Sequence, residues 1–180
     1  MIVDDVQKAL TDGSSPLLLT SRTEHLDYLT GRLRGLCQNV FVLKGAMGAK
    51  QRTQIAASIS LVPPYEPRII LATGSYLGEG FDDARLDTLF LTMPISWRGT
   101  LQQYVGGLHR LHENKREVLV YHYADLLVPM LARMYKKRLA GYSAPWVQSG
   151  PGTCGVRPGT SLYSIPITKG KRAIVSLRNF

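Results

Sequence analysis

A hydroxyl, three glycines and a carboxylate stand close together in one segment of the chain. Gly74, Gly78 and Gly80 lie between Thr73 and Asp82. Because a glycine has no side chain, it allows the backbone to approach a phosphate group closely. The same glycines are also typical of an ordinary turn between a strand and a helix. The segment therefore indicates phosphate chemistry only when other features support it.

A glutamine and an arginine further along the chain could form a second polar site. Gln103 and Arg110 are seven residues apart, and this spacing places both side chains on one face of an α-helix. An arginine guanidinium binds phosphate oxygens through paired hydrogen bonds. An arginine near the C-terminal end of a helix is also stabilised by the helix dipole without any ligand. The spacing alone leaves both interpretations open.

The cysteines and histidines do not indicate a metal site or a disulfide framework. Cys37 and Cys154 are too far apart in the sequence to form a finger-like ligand pair, and we expect two reduced thiols. His109 and His112 stand next to Glu113. This group is more typical of a hydrated helix end than of a metal centre, so no metal is predicted.

The composition is that of an ordinary globular protein. Of the 180 residues, 44% are hydrophobic and 19% are charged, which excludes wholesale disorder and collagen-like or coiled-coil order. The longest apolar runs have the length of a strand and fall far short of the ~20 residues of a membrane-spanning helix. The first residues lack the basic start and apolar core of a signal peptide. We therefore expect a soluble cytoplasmic protein with no membrane partner.

The net charge of +9 belongs to the C-terminal part of the chain. Residues 1–125 contain all 13 acidic residues and 13 of the 22 lysines and arginines, whereas residues 126–180 contain the other nine and no acid. A basic segment without acids is typical of nucleic-acid binding. A solvated tail that binds nothing would have the same composition, so the charge alone does not decide.

Short β-branched runs alternate with helical patterns through the first 142 residues. The sequence predicts strands at residues 17–20, 40–43, 68–72, 88–91 and 117–121. It predicts helices at about 23–34, 49–59, 100–109 and 127–139. Strands that are apolar on both faces and separated by helices favour parallel pairing, with helices on both faces of the sheet. The expected fold is therefore an open, doubly wound, mostly parallel α/β sheet, whose ligands bind beyond the carboxyl ends of the strands.

The tail from residue 143 onward has a different composition. It contains five glycines and four prolines in 38 residues. We predict a domain at residues 1–142 followed by an irregular, basic, Gly/Pro-rich tail at 143–180. Residues 162–167 and 173–177 could pair as a hairpin, although Pro166 opposes this pairing because proline cannot donate a ladder hydrogen bond. Disorder is the alternative.

Several segments together resemble motifs of the second, C-terminal RecA-like lobe of superfamily 2 DEAD/DEAH-type helicases. Residues 17–25, Leu-Leu-Leu-Thr-Ser-Arg-Thr-Glu-His, resemble motif IV. Residues 70–82 resemble motif V, in which Ala-Thr is followed by Gly-x-Asp. Residues 103–110 resemble motif VI, Q-x-x-G-R-x-x-R, and residues 43–52 resemble the loop that follows the second strand of these lobes. The order and the spacing match over roughly residues 15–142.

The resemblance implies a RecA-like fold and a role for each matched position. It implies nucleic-acid contacts, with DNA expected rather than RNA, from Arg22, Thr23, Lys44, Lys50, Arg52 and Thr73. It implies contacts to ATP with Mg²⁺, at an interface with a first RecA-like lobe, from Gly78, Gly80, Asp82, Gln103, Gly106 and Arg110. Arg110 would be the catalytic arginine finger, which is worth ~10³–10⁵ in rate in related hydrolases. The run at residues 68–116 looks especially like bacterial restriction-subunit-like helicases.

Two features depart from a complete motor. Gly107 stands where motif VI has its other arginine, so the guanidinium and its fork of N–H donors are absent. A glycine inside a helix also makes the helix ~1 kcal/mol less stable than an alanine would. The sequence also lacks the G-x-x-x-x-G-K-[ST] phosphate loop and the D-E-x-[HD] acid pair of a first lobe. We therefore expect no ATP hydrolysis unless a first lobe is supplied by the same or another chain.

Three interpretations follow from these features. The favoured one is the C-terminal lobe of an ATP-dependent DNA helicase or translocase, which supplies motifs IV, V and VI and is inactive alone. The second is a stand-alone nucleic-acid-binding module. The third is a decayed remnant without ATPase activity. Gly107 and the foreign composition of the tail support this interpretation.

Overall fold

The computed structural model describes residues 1–77, 83–92, 117–123, 127–143, 161–168 and 172–178. The chain divides into two units, Met1–Phe81 and Asp82–Phe180. None of the helices in the described ranges is long and apolar enough to cross a membrane.

The first unit contains three parallel strands and the helices that connect them. In chain order its elements are α1 (Ile2–Thr11), β1 (Pro16–Thr20), α2 (Thr23–Leu33), β2 (Asn39–Leu43), α3 (Ala49–Leu61), β3 (Arg68–Thr73) and the short α4 (Gly74–Leu77). Strand β3 lies between β1 and β2 and pairs in parallel with both. The three predicted strands and the helices predicted at 23–34 and 49–59 are confirmed. Helix α1 was not predicted.

The core of the first unit lies on β1, β3 and one face of α2. Every residue of β1 and of β3 is buried, because the strands are apolar on both faces. Leu26, Leu29 and Leu33 follow helical spacing and are at most 2% exposed, so they form the apolar side of α2 that the sequence indicated. Helix α2 contacts all three strands. Burial of these leucines therefore fixes the helix, and the loop before it, on the sheet.

The second unit also begins with parallel strands. Its elements are β4 (Thr88–Leu91), β5 (Glu117–Tyr123), α5 (Pro129–Ser143), β6 (Ser161–Thr168) and β7 (Arg172–Arg178). Strands β4 and β5 pair in parallel, and the rings of Phe90 and Tyr121 stack with their centroids 4.5 Å apart. Helix α5 is the helix predicted at 127–139; its first residue is a proline, which is favoured at that position. The helix predicted at 100–109 lies outside the described residues.

The C-terminal segment contains the hairpin that was one of the two alternatives. Strands β6 and β7 pair antiparallel, and β7 also pairs antiparallel with β5. The register of the hairpin shifts between Ile165 and Thr168, so Pro166 lies at a bulge, where a missing N–H donor is tolerated. The pairing of β7 with β5 was not predicted. All described pairs among β1 to β5 are parallel, which confirms the predicted parallel α/β class.

Candidate nucleic-acid interface

The strand register of the first unit brings three loops to one edge of the sheet. Thr20, the last residue of β1, pairs with Thr73, the last residue of β3. Leu43, the last residue of β2, pairs with Ala72. The carboxyl ends of the three parallel strands are therefore level, and the segments that follow them share the edge at which parallel sheets bind ligands.

All six residues predicted to contact nucleic acid belong to this edge. They end a strand, follow it, or lie in the first turn of the next helix: Arg22, Thr23, Lys44, Lys50, Arg52 and Thr73. We call this set, with the loops that carry it, the carboxyl edge. The six residues differ in exposure and in hydrogen bonding. Some are exposed and could contact a partner, whereas others form hydrogen bonds that hold the loops in place.

The loop after β1 is held by hydrogen bonds to Thr20, and its basic side chain, that of Arg22, is exposed to solvent. The Thr20 hydroxyl oxygen accepts the N–H of Arg22 at 3.5 Å, a long hydrogen bond, and lies 3.0 Å from Nδ1 of His25. Partial burial lowers the pKa of His25 below its usual value, so the neutral imidazole can accept the threonine O–H through Nδ1. Arg22 and Thr23 are exposed. Thr20 and His25 thus support a loop whose arginine is available to a partner.

Thr73 supports the loop after β2. It is 9% exposed, and its Oγ1 accepts the backbone N–H of Gly45 at 2.9 Å. The contact joins the end of β3 to the loop at residues 44–48, although these segments are far apart in the sequence.

Arg52 is bound to the same loop. Its Nε donates to the Met47 carbonyl at 2.9 Å and its Nη2 donates to the Gly45 carbonyl at 3.0 Å. Its guanidinium carbon also lies 5.2 Å from the centre of the Tyr76 ring, within the range of a cation–π contact. The charge of this residue is therefore engaged within the protein.

The two lysines of the edge differ in their surroundings. Lys44 Nζ lies 2.9 Å from a carboxylate oxygen of Asp27, and the two side chains are 37% and 59% exposed. Lys50 is exposed in the first turn of α3, a turn that contains no acidic residue. A cation in the first turn is opposed by the helix dipole, and an anionic partner would relieve this repulsion. Lys50 is thus the more available of the two.

The residues predicted to contact ATP lie outside the described residues. They are Gly78, Gly80, Asp82, Gln103, Gly106 and Arg110. Their assignments therefore stay predictions. Of the two cysteines, Cys37 is described; it is free, and burial raises the pKa of its thiol. This agrees with a thiol that is protonated at neutral pH and unreactive.

No protein-family model matches the sequence, and no curated protein matches it either. Solved structures do show similarity. The chain is similar to the C-terminal part of the Fun30 ATPase domain, with a TM-score of 0.55 and 16% identity over 63% of this chain and 37% of that one. It is also similar to Mss116p DEAD-box helicase domain 2 bound to an RNA duplex, with a TM-score of 0.53 and 12% identity over 63% of this chain and 45% of that one. This chain spans less than half the length of either structure.

A third structure matches almost the whole chain. It comes from Staphylococcus aureus, is assigned to the caffeoyl-CoA O-methyltransferases, and has a TM-score of 0.50 and 12% identity over 99% of this chain and 83% of that one. At these identities each likeness concerns the fold alone. The chain thus shares a RecA-like α/β fold with the ATPase and helicase domains to which it is similar.

Proposed function

We propose that this chain is the C-terminal lobe of an ATP-dependent superfamily 2 helicase or translocase and binds nucleic acid along its carboxyl edge. The observation that carries the proposal is the strand register. The register levels the carboxyl ends of β1, β2 and β3, and the six residues for which the resemblance implies nucleic-acid contacts all lie at or just after those ends. The fold of the solved helicase lobes supports the same conclusion.

The chemistry of the edge suits a phosphate backbone. Arg22, in the loop after β1, and Lys50, in the first turn of α3, are exposed cations, and cations of this kind supply the salt-dependent part of nucleic-acid affinity. One of the similar structures is bound to an RNA duplex. We nevertheless propose DNA as the partner, because the run at residues 68–116 resembles restriction-subunit-like helicases.

The ATP part of the proposal rests on the resemblance. ATP and Mg²⁺ would be held between this lobe and a first lobe, and ATP hydrolysis would supply the free energy of movement. In this chain, Asp82 and Gln103 would contact the nucleotide and Arg110 would neutralise the transferred phosphoryl group. Gly107 and the missing phosphate loop favour a second candidate, a nucleic-acid-binding module without hydrolysis.

A salt titration of DNA and RNA binding tests the nucleic-acid part. Replacing one phosphate-contacting cation should make the slope of log K against log salt shallower by about 0.9 for duplex DNA or about 0.7 for a single strand. We expect this change for Arg22→Ala and for Lys50→Ala. The matched controls are Arg34→Ala and Lys8→Ala, which remove exposed cations near the opposite ends of the strands. Equal losses from the controls, or binding that ignores salt, would contradict the proposed interface.

Purification of the chain with its partners tests the ATP part. We expect a protein that carries a G-x-x-x-x-G-K-[ST] loop and a magnesium-binding acid pair to accompany it in stoichiometric amount. The pair should hydrolyse ATP faster when nucleic acid is added. Absence of such a partner, together with intact DNA binding, would favour the binding module instead.

A further inference from the structure

We propose that Arg52 is a positioning residue for nucleic-acid binding and not itself a phosphate contact. It holds the loop at residues 44–48 against the segment that begins at Thr73, and so sets the orientation of Lys44 and Lys50. This inference rests on the proposed function, because it assigns a support to the surface that would bind nucleic acid. We call Arg52, Thr73 and Tyr76 the clamp.

The hydrogen bonds of Arg52 fix the loop at two points. The Met47 and Gly45 carbonyls accept from Nε at 2.9 Å and Nη2 at 3.0 Å. Inside the loop, the Met47 N–H donates to the Lys44 carbonyl at 3.1 Å and closes a turn. The planar guanidinium presents its donors in a rigid fork, and two of its nitrogens therefore restrain a turn that also carries Lys44.

The other two members of the clamp approach the same loop from β3 and α4. Both backbone groups of Gly45 are used, since its N–H donates to Thr73 Oγ1 and its carbonyl accepts from Arg52. Tyr76, which is 5% exposed, lies against the guanidinium. Segments that follow two different strands are thus tied together through one loop and one arginine.

This arrangement separates the role of Arg52 from that of its neighbours. Lys44 begins the loop and Lys50 follows it, and both have side chains that reach solvent. A guanidinium that binds two carbonyls and faces a ring has its position set by the loop. Lysine cannot replace such a residue, because its ammonium is a compact point charge without a donor fork. At a phosphate contact, by contrast, lysine serves well.

This difference between arginine and lysine provides the test. The full chain and its Arg52→Lys, Arg52→Gln and Lys50→Gln variants would be titrated with a fluorescent single-stranded DNA at several salt concentrations. If Arg52 positions the loop, Arg52→Lys should weaken binding as much as Arg52→Gln does, by about tenfold, the size expected from one net hydrogen bond. If Arg52 contacts phosphate, Arg52→Lys should keep nearly the original affinity and salt slope, and the inference would be overturned.

Amide hydrogen exchange gives a second readout that does not depend on binding. Exchange at Gly45 and Met47 should become faster in both Arg52 variants and stay unchanged in Lys50→Gln, since Arg52 holds the loop and Lys50 does not. Unchanged exchange in Arg52→Lys would overturn the clamp even if the affinity fell. Failure of the unaltered chain to bind DNA or RNA would instead refute the proposed function, and the two failures are therefore distinguishable.

Discussion

Replacing Asp27 with asparagine should strengthen nucleic-acid binding. The Asp27 carboxylate lies 2.9 Å from Lys44 Nζ, so it neutralises one of the cations of the carboxyl edge. Asparagine has the same shape without the charge. Asp27→Asn therefore releases Lys44 for a phosphate and removes a negative charge that would repel the backbone.

The structure bounds the size of this gain. Both side chains are well exposed, at 37% and 59%, so water screens the pair. Two unit charges 4 Å apart interact by about 1 kcal/mol in bulk water, which corresponds to about a fivefold change in affinity. One newly engaged phosphate would steepen the salt slope by up to about 0.9 on duplex DNA. The stability of the fold should change little, because an exposed ion pair contributes about 0–1 kcal/mol.

The assay is fluorescence anisotropy at low and at high salt. Asp27→Asn should bind about three to five times more tightly at low salt, and the gain should shrink at higher salt as screening increases. Asp12→Asn removes an exposed acid near the opposite edge of the sheet and should change affinity by less than about twofold. The gain should disappear in a Lys44→Gln background. A gain that persists there, or no gain in a folded Asp27→Asn variant, would refute the role of Lys44.

Two further predictions concern stability. Leu71→Ala, at a 0% exposed position of β3 between two paired strands, should lower the free energy of unfolding by ~3–5 kcal/mol. Leu61→Ala, at an 82% exposed position, should leave that free energy nearly unchanged. Urea denaturation followed by circular dichroism compares the two variants, and equal losses would contradict the assigned core. The second concerns His25, whose pKa is lowered from the usual 6.5 by burial: the unfolded chain then binds more protons than the folded one just below pH 6.5, so stability should be full above that pH and fall as the pH decreases through it. The fall should be smaller in His25→Gln, and identical pH profiles of the two proteins would argue against the assignment.

The sequence determined most of the fold because its strands are apolar on both faces. Runs such as residues 17–20 and 68–72, separated by helical patterns, favour a parallel sheet covered by helices, and parallel pairing brings the loops after the strands to one edge. Helix α1 was missed although it carries a signal: Val6 and Ala9 are buried at helical spacing, Asp4 and Asp5 lie in its first turn, and Lys8 lies in its last. Those charges match the helix dipole.

The position of β7 could not be predicted from the local sequence. Its pairing with β5 joins residues that are about fifty to sixty positions apart, from Tyr123 with Arg172 to Glu117 with Arg178, and nothing in either segment selects the other. Pro166 argued against a hairpin, yet the bulge beside it accommodates the missing donor. The rule that proline disfavours strand pairing therefore argued against a hairpin that the structure contains, because Pro166 lies where the ladder is irregular.

The supporting role of several edge residues also required the structure. Arg52 was selected for its charge and Thr73 for its place in a motif, but whether a side chain meets solvent or a backbone carbonyl depends on how the loop folds. The sequence pattern predicted that both residues lie at the carboxyl edge. The hydrogen bonds of Arg52 to Met47 and Gly45, and of Thr73 to Gly45, could be found only from the structure. Thr20 and His25 stand in the motif IV-like segment and were not assigned a role, since their contact is internal.

The carboxyl edge thus separates cations that can reach a partner from residues that hold them in place. Arg22 and Lys50 are exposed. Lys44 forms an ion pair with Asp27, and Arg52 donates hydrogen bonds to carbonyls of the loop at residues 44–48. Because both the affinity for a phosphate backbone and its salt slope grow with the number of phosphates neutralised, two available cations would give this chain alone weak binding with a shallow salt slope of about 2. In the proposed motor, a first RecA-like lobe would add a second binding surface together with the phosphate loop that this sequence lacks. The same count explains why releasing Lys44 is an informative change: it would add a third phosphate contact to a set of two, a proportion large enough to measure.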